Sequence, residues 1–222
     1  ISTKEVFSDI IVEAPLGSRT KLTLPDGTLV WLNAGSRITY SQGFGVGNRK
    51  IELIGEGYFE VKRNEEVPFL VKTNSLLVKV LGTKFNFRDY PDDAEAIVSL
   101  SEGKVSLNNL LKKEKEAFLL PNERVVLNKK NGRMHVEYST VSNALQWTNG
   151  YLFFDEELLP DVVKELERSY NVKIQIASDT LNTFRFYGNF VHREQNIQEV
   201  LEALSATRKI HYIIEGHNIT LY

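Results

Sequence analysis

The sequence predicts a mainly β protein with a small α+β part behind it. We read a β-sandwich-like domain over residues 1–138, a connector over 139–150, and a C-terminal domain over 151–222 with a βαβ-βαβ(β) order. Three observations predict this. From Ser18 to Tyr138 the chain breaks into many short runs of alternating apolar and polar residues, separated by Gly, Pro, Asn and Asp, the pattern of a sandwich or barrel. After Tyr138 the apolar spacing becomes helical, with Val141, Leu145 and Trp147 ahead of Gly150. From Tyr151 onward strand-like and helix-like segments take turns.

The β part is organised around Leu22–Asn33, LTLPDGTLVWLN, which alternates on both sides of Pro25-Asp26-Gly27. Proline sets φ at the first turn position and glycine relaxes the exit, so this is strand, turn, strand. Ahead of it, Val6–Pro15 suits a short strand or an arm. Further strands are expected at Arg37–Tyr40, Lys50–Ile54, Gly57–Val61, Pro68–Lys72, Leu76–Leu81, Lys84–Asp89, Ala96–Glu102 and Lys104–Leu107. Three more are expected at Ala117–Leu120, Arg124–Asn128 and Arg133–Tyr138. Alternation points Leu24, Val30, Leu32, Tyr58, Phe59, Phe69, Val71, Phe85, Phe87, Val98 and Leu100 inward. Each such side chain contributes roughly 1.5–3 kcal/mol on burial, so this core can support a domain.

In the tail, Tyr151–Phe154, a helix over Leu158–Tyr170 and Lys173–Ile176 make the first unit. The helix carries one apolar stripe, Leu159, Val163, Leu166 and Tyr170. Pro160 falls in its first turn, and Asp155, Glu156 and Glu157 suit its positive start. The second unit is Phe184–Phe190, a helix over Asn196–Thr207 with Ile197, Val200, Leu201 and Leu204 on one stripe, and Ile210–Ile214. A turn at Glu215-Gly216-His217-Asn218 then leads into the last strand, Asn218–Tyr222.

Composition narrows the functions. With 42% hydrophobic and 25% charged residues, this is an ordinary soluble globular sequence. A net charge of −2 with both signs mixed gives no electrostatic footprint for nucleic acid. Seven basic against eleven acidic residues put about −4 on 151–222 and leave about +2 on the rest, an asymmetry that can orient a partner or merely keep helices soluble. The absence of cysteine excludes disulfides and thiolate metal sites. No apolar run reaches the roughly 20 residues that span a bilayer. The chain begins at Ile1 rather than Met, and we expect an upstream part that is not in this sequence.

Chemistry-bearing patterns are few. His135, His192, His211 and His217 have no helical ligand spacing and no carboxylate cluster, so neither a metal nor another cofactor is expected, although His211 and His217 lie on adjoining predicted strands. The Gly43–Gly47 stretch GFGVG is not followed by a helix and reads as a loop rather than a phosphate cradle. Arg49-Lys50 and Lys62-Arg63 read as solvated loop charge. Gly82-Thr83 has two readings: a tight turn between strands, or a self-cleavage step in which the Thr83 hydroxyl attacks the Gly82 carbonyl and water opens the ester. Aromatics at 184, 186, 187, 190, 212 and 222 crowd the last strands. Either the sheet is fully covered, or an apolar edge stays open for a partner strand.

TLPDGTLVWLNAGS, ELIGEGYFEV and VKVLGTKFNFRDY stand in this order over Lys21–Tyr90, and together they resemble the FecR family. A second resemblance covers Tyr151–Tyr222, with Phe153-Phe154, LxRxYxVxI from Leu166 to Ile174, and RFxGNF from Arg185 to Phe190. It is to the domain that follows FecR in Bacteroidetes regulators, which is similar to the short secretin/TonB N-terminal signalling fold. These resemblances imply the periplasmic sensor region of an inner-membrane, single-pass anti-sigma factor without catalytic turnover. It would bind the signalling domain of an outer-membrane TonB-dependent transporter. It would relay that signal to an ECF sigma factor through a cytoplasmic segment and one transmembrane helix lying upstream. The LGT step of this family is also where the resemblance would place self-cleavage, at Gly82 and Thr83. For the partner surface we favour Arg185, Phe186, Tyr187, Gly188, Asn189 and Phe190 with Ile219, Thr220, Leu221 and Tyr222. The alternatives are a carbohydrate-binding or carbohydrate-cleaving sandwich, for which cleavage needs two facing carboxylates, and a purely structural envelope module.

Overall fold

The computed structural model describes residues 7–222, so Val6 of the predicted first strand lies outside the described residues. Two compact units form. One comprises the chain up to Ala14 together with Arg19–Leu145, the other Pro15–Ser18 with Gln146–Tyr222.

The first unit begins with β1 (Asp9–Ala14), β2 (Thr20–Thr23), β3 (Leu29–Leu32), β4 (Ser36–Ser41) and β5 (Arg49–Glu60). Next come β6 (Phe69–Lys72), β7 (Leu76–Val80), β8 (Lys84–Asp89) and β9 (Glu95–Glu102). It ends with β10 (Val105–Asn109), β11 (Ala117–Leu119), β12 (Glu123–Asn128), β13 (Met134–Tyr138) and a single helical turn, α1 (Val141–Ala144). The order β1-β4-β5-β6-β7-β10-β11 makes a first sheet. A second runs β2-β3-β5-β8-β9-β12-β13.

Strand β5 belongs to both sheets, where the sequence predicted two separate strands. Its first half pairs with β4 and β6, its second with β3 and β8. The change of sheet falls at Gly55, with φ of +98° and no room for a Cβ, which would lie 2.4 Å from Ser36 Oγ. Only glycine meets both demands. Because β5 leaves the first sheet here, the chain can return after a short loop and pair β6 parallel to the start of β5. A parallel neighbour otherwise needs a long crossover.

Inward side chains of both sheets meet in one core. Phe59 stacks on Phe85 with centroids 5.1 Å apart and reaches across to Phe69 at 6.3 Å. Phe44 of the GFGVG loop is buried against Tyr40 and Phe69, which is why that loop carries an aromatic between its glycines. Tyr58 departs from the prediction. It is buried, yet it lies on the outer face of the second sheet against Trp31, at 5.3 Å, because Phe59 takes the inward position beside it.

Arg49 also departs from its reading as solvated charge: it is 2% exposed. Its Nε donates to Val67 O, and its two terminal nitrogens reach Lys62 O, Asn64 O and Asp26 Oδ2 at 2.7, 3.2 and 3.0 Å. Asp26 in turn accepts from the backbone and hydroxyl of Thr28. One guanidinium therefore ties the Pro-Asp-Gly hairpin to the β5–β6 loop.

The second unit holds a 3₁₀ turn at Gln146–Asn149 with Trp147 buried, β14 (Tyr151–Leu158), α2 (Leu159–Tyr170) and β15 (Lys173–Ile176). A further 3₁₀ turn at Asp179–Thr183 leads to β16 (Arg185–Val191), α3 (Ile197–Ser205), β17 (Tyr212–Glu215) and β18 (Asn218–Leu221). The predicted element order holds, and the pairing interleaves the two repeats. First strands pair with each other, β14 antiparallel to β16. Last strands make a separate sheet, β15-β18-β17, with β15 parallel to β18. Both helices cover these strands with the predicted stripes: Leu159, Val163 and Leu166 of α2 and Val200, Leu201 and Leu204 of α3 are buried, and Tyr170 packs partly buried at the edge. A capping box between Asn196 and Glu199 starts α3. The acids Asp155, Glu156 and Glu157 do not open α2 as predicted. They extend β14 through a bulge, with Glu156 at φ +58°, because pairing with β16 continues to Leu158. Among the described residues no helix is long and apolar enough to cross a membrane.

Candidate functional site

The RFYGNF stretch forms β16, and its alternate residues part company. Phe186 and Phe190 are buried and stack at 6.1 Å with planes 2° apart, each meeting Phe154. Gly188 lies beneath both rings, and a Cβ there would sit 2.5 Å from Phe186. The motif is thus a packing device, and glycine makes room for the aromatic pair. Arg185, Tyr187 and Asn189 face solvent. The Arg185 guanidinium donates to Glu156 O of the bulge at 2.6 Å. The Tyr187 phenol is held above its ordinary pKa by desolvation and then by the Glu156 carboxylate, so it remains a neutral donor. Among the described residues β16 pairs only with β14, and its other edge is open.

The predicted second half of the surface, Ile219–Tyr222, divides differently. Strand β18 is the middle strand of its sheet, so both of its edges are already paired and no strand can add there. Ile219 and Leu221 are core, Thr220 is half-buried and Tyr222 is exposed. The edges of this sheet are β15 and β17, and on β17 Ile213 and Ile214 are 49% and 40% exposed. Adjacent isoleucines in one strand point to opposite faces, and that signal was present in the sequence. His211 and Tyr222 exchange both backbone hydrogen bonds, and the strand register then turns the backbone N–H and C=O of Tyr212 and Ile214 outward. Beside them stand the Tyr222 and His211 rings, 5.7 Å apart.

Gly82-Thr83 is not a turn between neighbouring strands. It carries the chain from β7 in the first sheet to β8 in the second. Glycine is required by close approach, since a Cβ would lie 2.8 Å from Arg63 Cα. The buried Thr83 hydroxyl donates to Lys104 O at 3.0 Å. Attack on the Gly82 carbonyl would first have to break that bond. Mass spectrometry after prolonged incubation is expected to find one species of full mass, and fragments meeting at Gly82/Thr83 would show the acyl shift instead.

Two other arrangements bear on the alternatives. Buried Glu56, the carboxylate nearest the sheet change, accepts from Asn33 at 2.9 Å and Asn86 at 2.8 Å, with Arg88 at 3.5 Å. Such a carboxylate is a structural anchor. The aromatic pair on the outer sheet face is also engaged. Lys21 lies 4.4 Å over the Trp31 ring, and Tyr58, its pKa pushed up to about 12 by burial and Glu60, is 7% exposed. His211 and His217 stand at opposite ends of β17, and the described residues hold no cluster that could bind a metal.

The fold is a β-sandwich followed by a small α+β unit with open strand edges. The chain belongs to the FecR family of anti-sigma factors: the FecR protein family matches residues 10–106, and the FecR C-terminal family residues 151–221. Two solved structures of a candidate anti-sigma factor from Parabacteroides distasonis ATCC 8503 are similar along the whole chain. Each is 33% identical with a TM-score of 0.88; one covers 96% of this chain and 98% of its own, the other 97% and 99%. No curated protein sequence matches. The family is regulatory rather than enzymatic, and an anti-sigma factor acts on a sigma factor.

Proposed function

We propose that this chain is the periplasmic sensor region of a membrane-anchored anti-sigma factor. Its C-terminal unit binds the signalling domain of an outer-membrane TonB-dependent transporter, and the signal passes to an ECF sigma factor through an upstream membrane-spanning segment. The observation that supports this reading best is the open edge of β17 with two exposed isoleucines. The edge is short, four residues, but it carries two exposed isoleucines and outward backbone groups, which suits strand addition by a partner. Tyr222 and His211 supply aromatic contacts beside it, and Arg185, Tyr187 and Asn189 lie exposed on β16 of the other sheet.

Titration of the purified chain with transporter signalling domains from the same source is expected to give micromolar or tighter binding to one of them, about −8 kcal/mol. Ile214→Pro removes an outward N–H while leaving the hairpin bonds of Ile213 intact. It is expected to weaken that complex by at least about tenfold, roughly one hydrogen bond with its side-chain contact. Undiminished affinity of a folded Ile214→Pro variant would move the contact off β17, and no binding to any signalling domain would remove the transporter from the reading.

A further inference from the structure

The two solvent-facing surfaces of the first unit carry their charges differently. On the second sheet three cations are paired, Lys84 with Glu102 at 2.8 Å, Arg124 with Glu137 at 2.5 Å and Arg88 with Asp93 at 2.8 Å, while Lys21 lies over Trp31. On the first sheet Arg37 of β4 pairs with Glu13 of β1 at 3.9 Å, and the Ser106 hydroxyl donates to Glu116, but from β5 to β11 the outward lysines are not paired. Strand register sets Lys50, Leu70, Lys79, Ser106 and Phe118 in one row across β5, β6, β7, β10 and β11. Lys72 stands in the next row beside Glu52, and Lys104 at the head of β10 lies 5.2 Å over the Phe118 ring. Among the described residues none of these four lysines makes an ion pair. Between and beyond them Phe118, Leu81 and Leu120 are 52%, 41% and 57% exposed.

We propose that this face of the first sheet docks on a bilayer surface rich in anionic phospholipid. The choice of cation argues for lipid over protein. Protein interfaces enrich arginine and deplete lysine, because a guanidinium fork suits fixed carboxylates, whereas a lysine ammonium is a mobile point charge on a flexible stem. Four unpaired lysines, with no arginine at the outward positions of these strands, match a fluid array of phosphates. Phe118, Leu81 and Leu120 then enter the headgroup region, as exposed apolar residues do among interfacial lysines. This assignment stands independently of the transporter reading.

The test is co-sedimentation of the whole chain with phosphatidylglycerol–phosphatidylcholine vesicles and with pure phosphatidylcholine vesicles, at low and high salt. Binding is expected to the anionic vesicles alone and to weaken with salt, as surface potentials are screened. Lys72→Glu with Lys79→Glu is expected to lower the partition coefficient by at least about 20-fold, from the contribution of each cation near such a surface. Phe118→Ser lowers it while leaving the salt dependence unchanged. Lys173→Glu, an exposed position of the second unit, leaves it unaltered. Absence of binding to the anionic vesicles at low salt overturns the proposal, as does an equal loss in Lys173→Glu. Retention on immobilised polyglutamate without vesicle binding overturns it in favour of an acidic protein partner.

Discussion

Arg49→Met is expected to destabilise the first unit by about 3–5 kcal/mol, the cost of leaving one member of a buried ion pair behind. Methionine fills similar space, so the loss comes from electrostatics and hydrogen bonding rather than from a cavity. Asp26, with an 11% exposed side chain, would keep its Thr28 bonds but lose its cation. The carbonyls of Lys62, Asn64 and Val67 would lose their donor together. Thermal unfolding should show the first unit melting roughly 10 °C or more below the parent. The double variant Arg49→Met/Asp26→Asn should recover part of the loss, because the orphaned charge is removed. A loss under about 1 kcal/mol would mean that the pair is solvated, as exposed pairs are. The hairpin and the β5–β6 loop would then be held by other contacts.

Leu204→Asp is expected to unfold the second unit. Leu204 is fully buried on α3 within a cluster that includes Val200, Leu201, Leu166 and Phe190. The substitution removes the apolar contacts, worth about 2–5 kcal/mol on truncation, and adds an uncompensated carboxylate. A unit of this size rarely has more than about 5–15 kcal/mol in hand. Amide exchange should then show protection lost across Gln146–Tyr222 and kept in β5, β8 and β9, whose core is separate. Simultaneous loss of protection in both would show that the two fold as one cooperative unit.

How much of this was legible beforehand varies from residue to residue. The hairpin at Pro25-Asp26-Gly27, the helix that starts by Asn196 and the stripes of α2 and α3 follow from neighbours within a few positions, and all three stand as read. RFYGNF was visible as a motif, but its meaning was not. Only the stacking of Phe186 on Phe190 above Gly188 shows that half of the motif is core. The same limit applied to Ile219 and Leu221. Alternation says that a strand has two faces, but nothing local says whether it lies at an edge or between two others.

The order of the elements, most of the inward positions of the first unit, the helix stripes and the family were set by the amino-acid sequence alone. These depend on hydrophobic period, turn chemistry and motif spacing, which act over a few residues. What the tertiary structure decided is pairing: β5 serving two sheets through Gly55, Arg49 drawn inside by acceptors 13 to 23 residues away, β18 closed on both edges while β17 stays open, and Gly82-Thr83 passing from one sheet to the other. Partners in a sheet are chosen by global complementarity of hydrogen-bonding edges and core surface. That choice is made between segments far apart in the chain, and no local pattern records it.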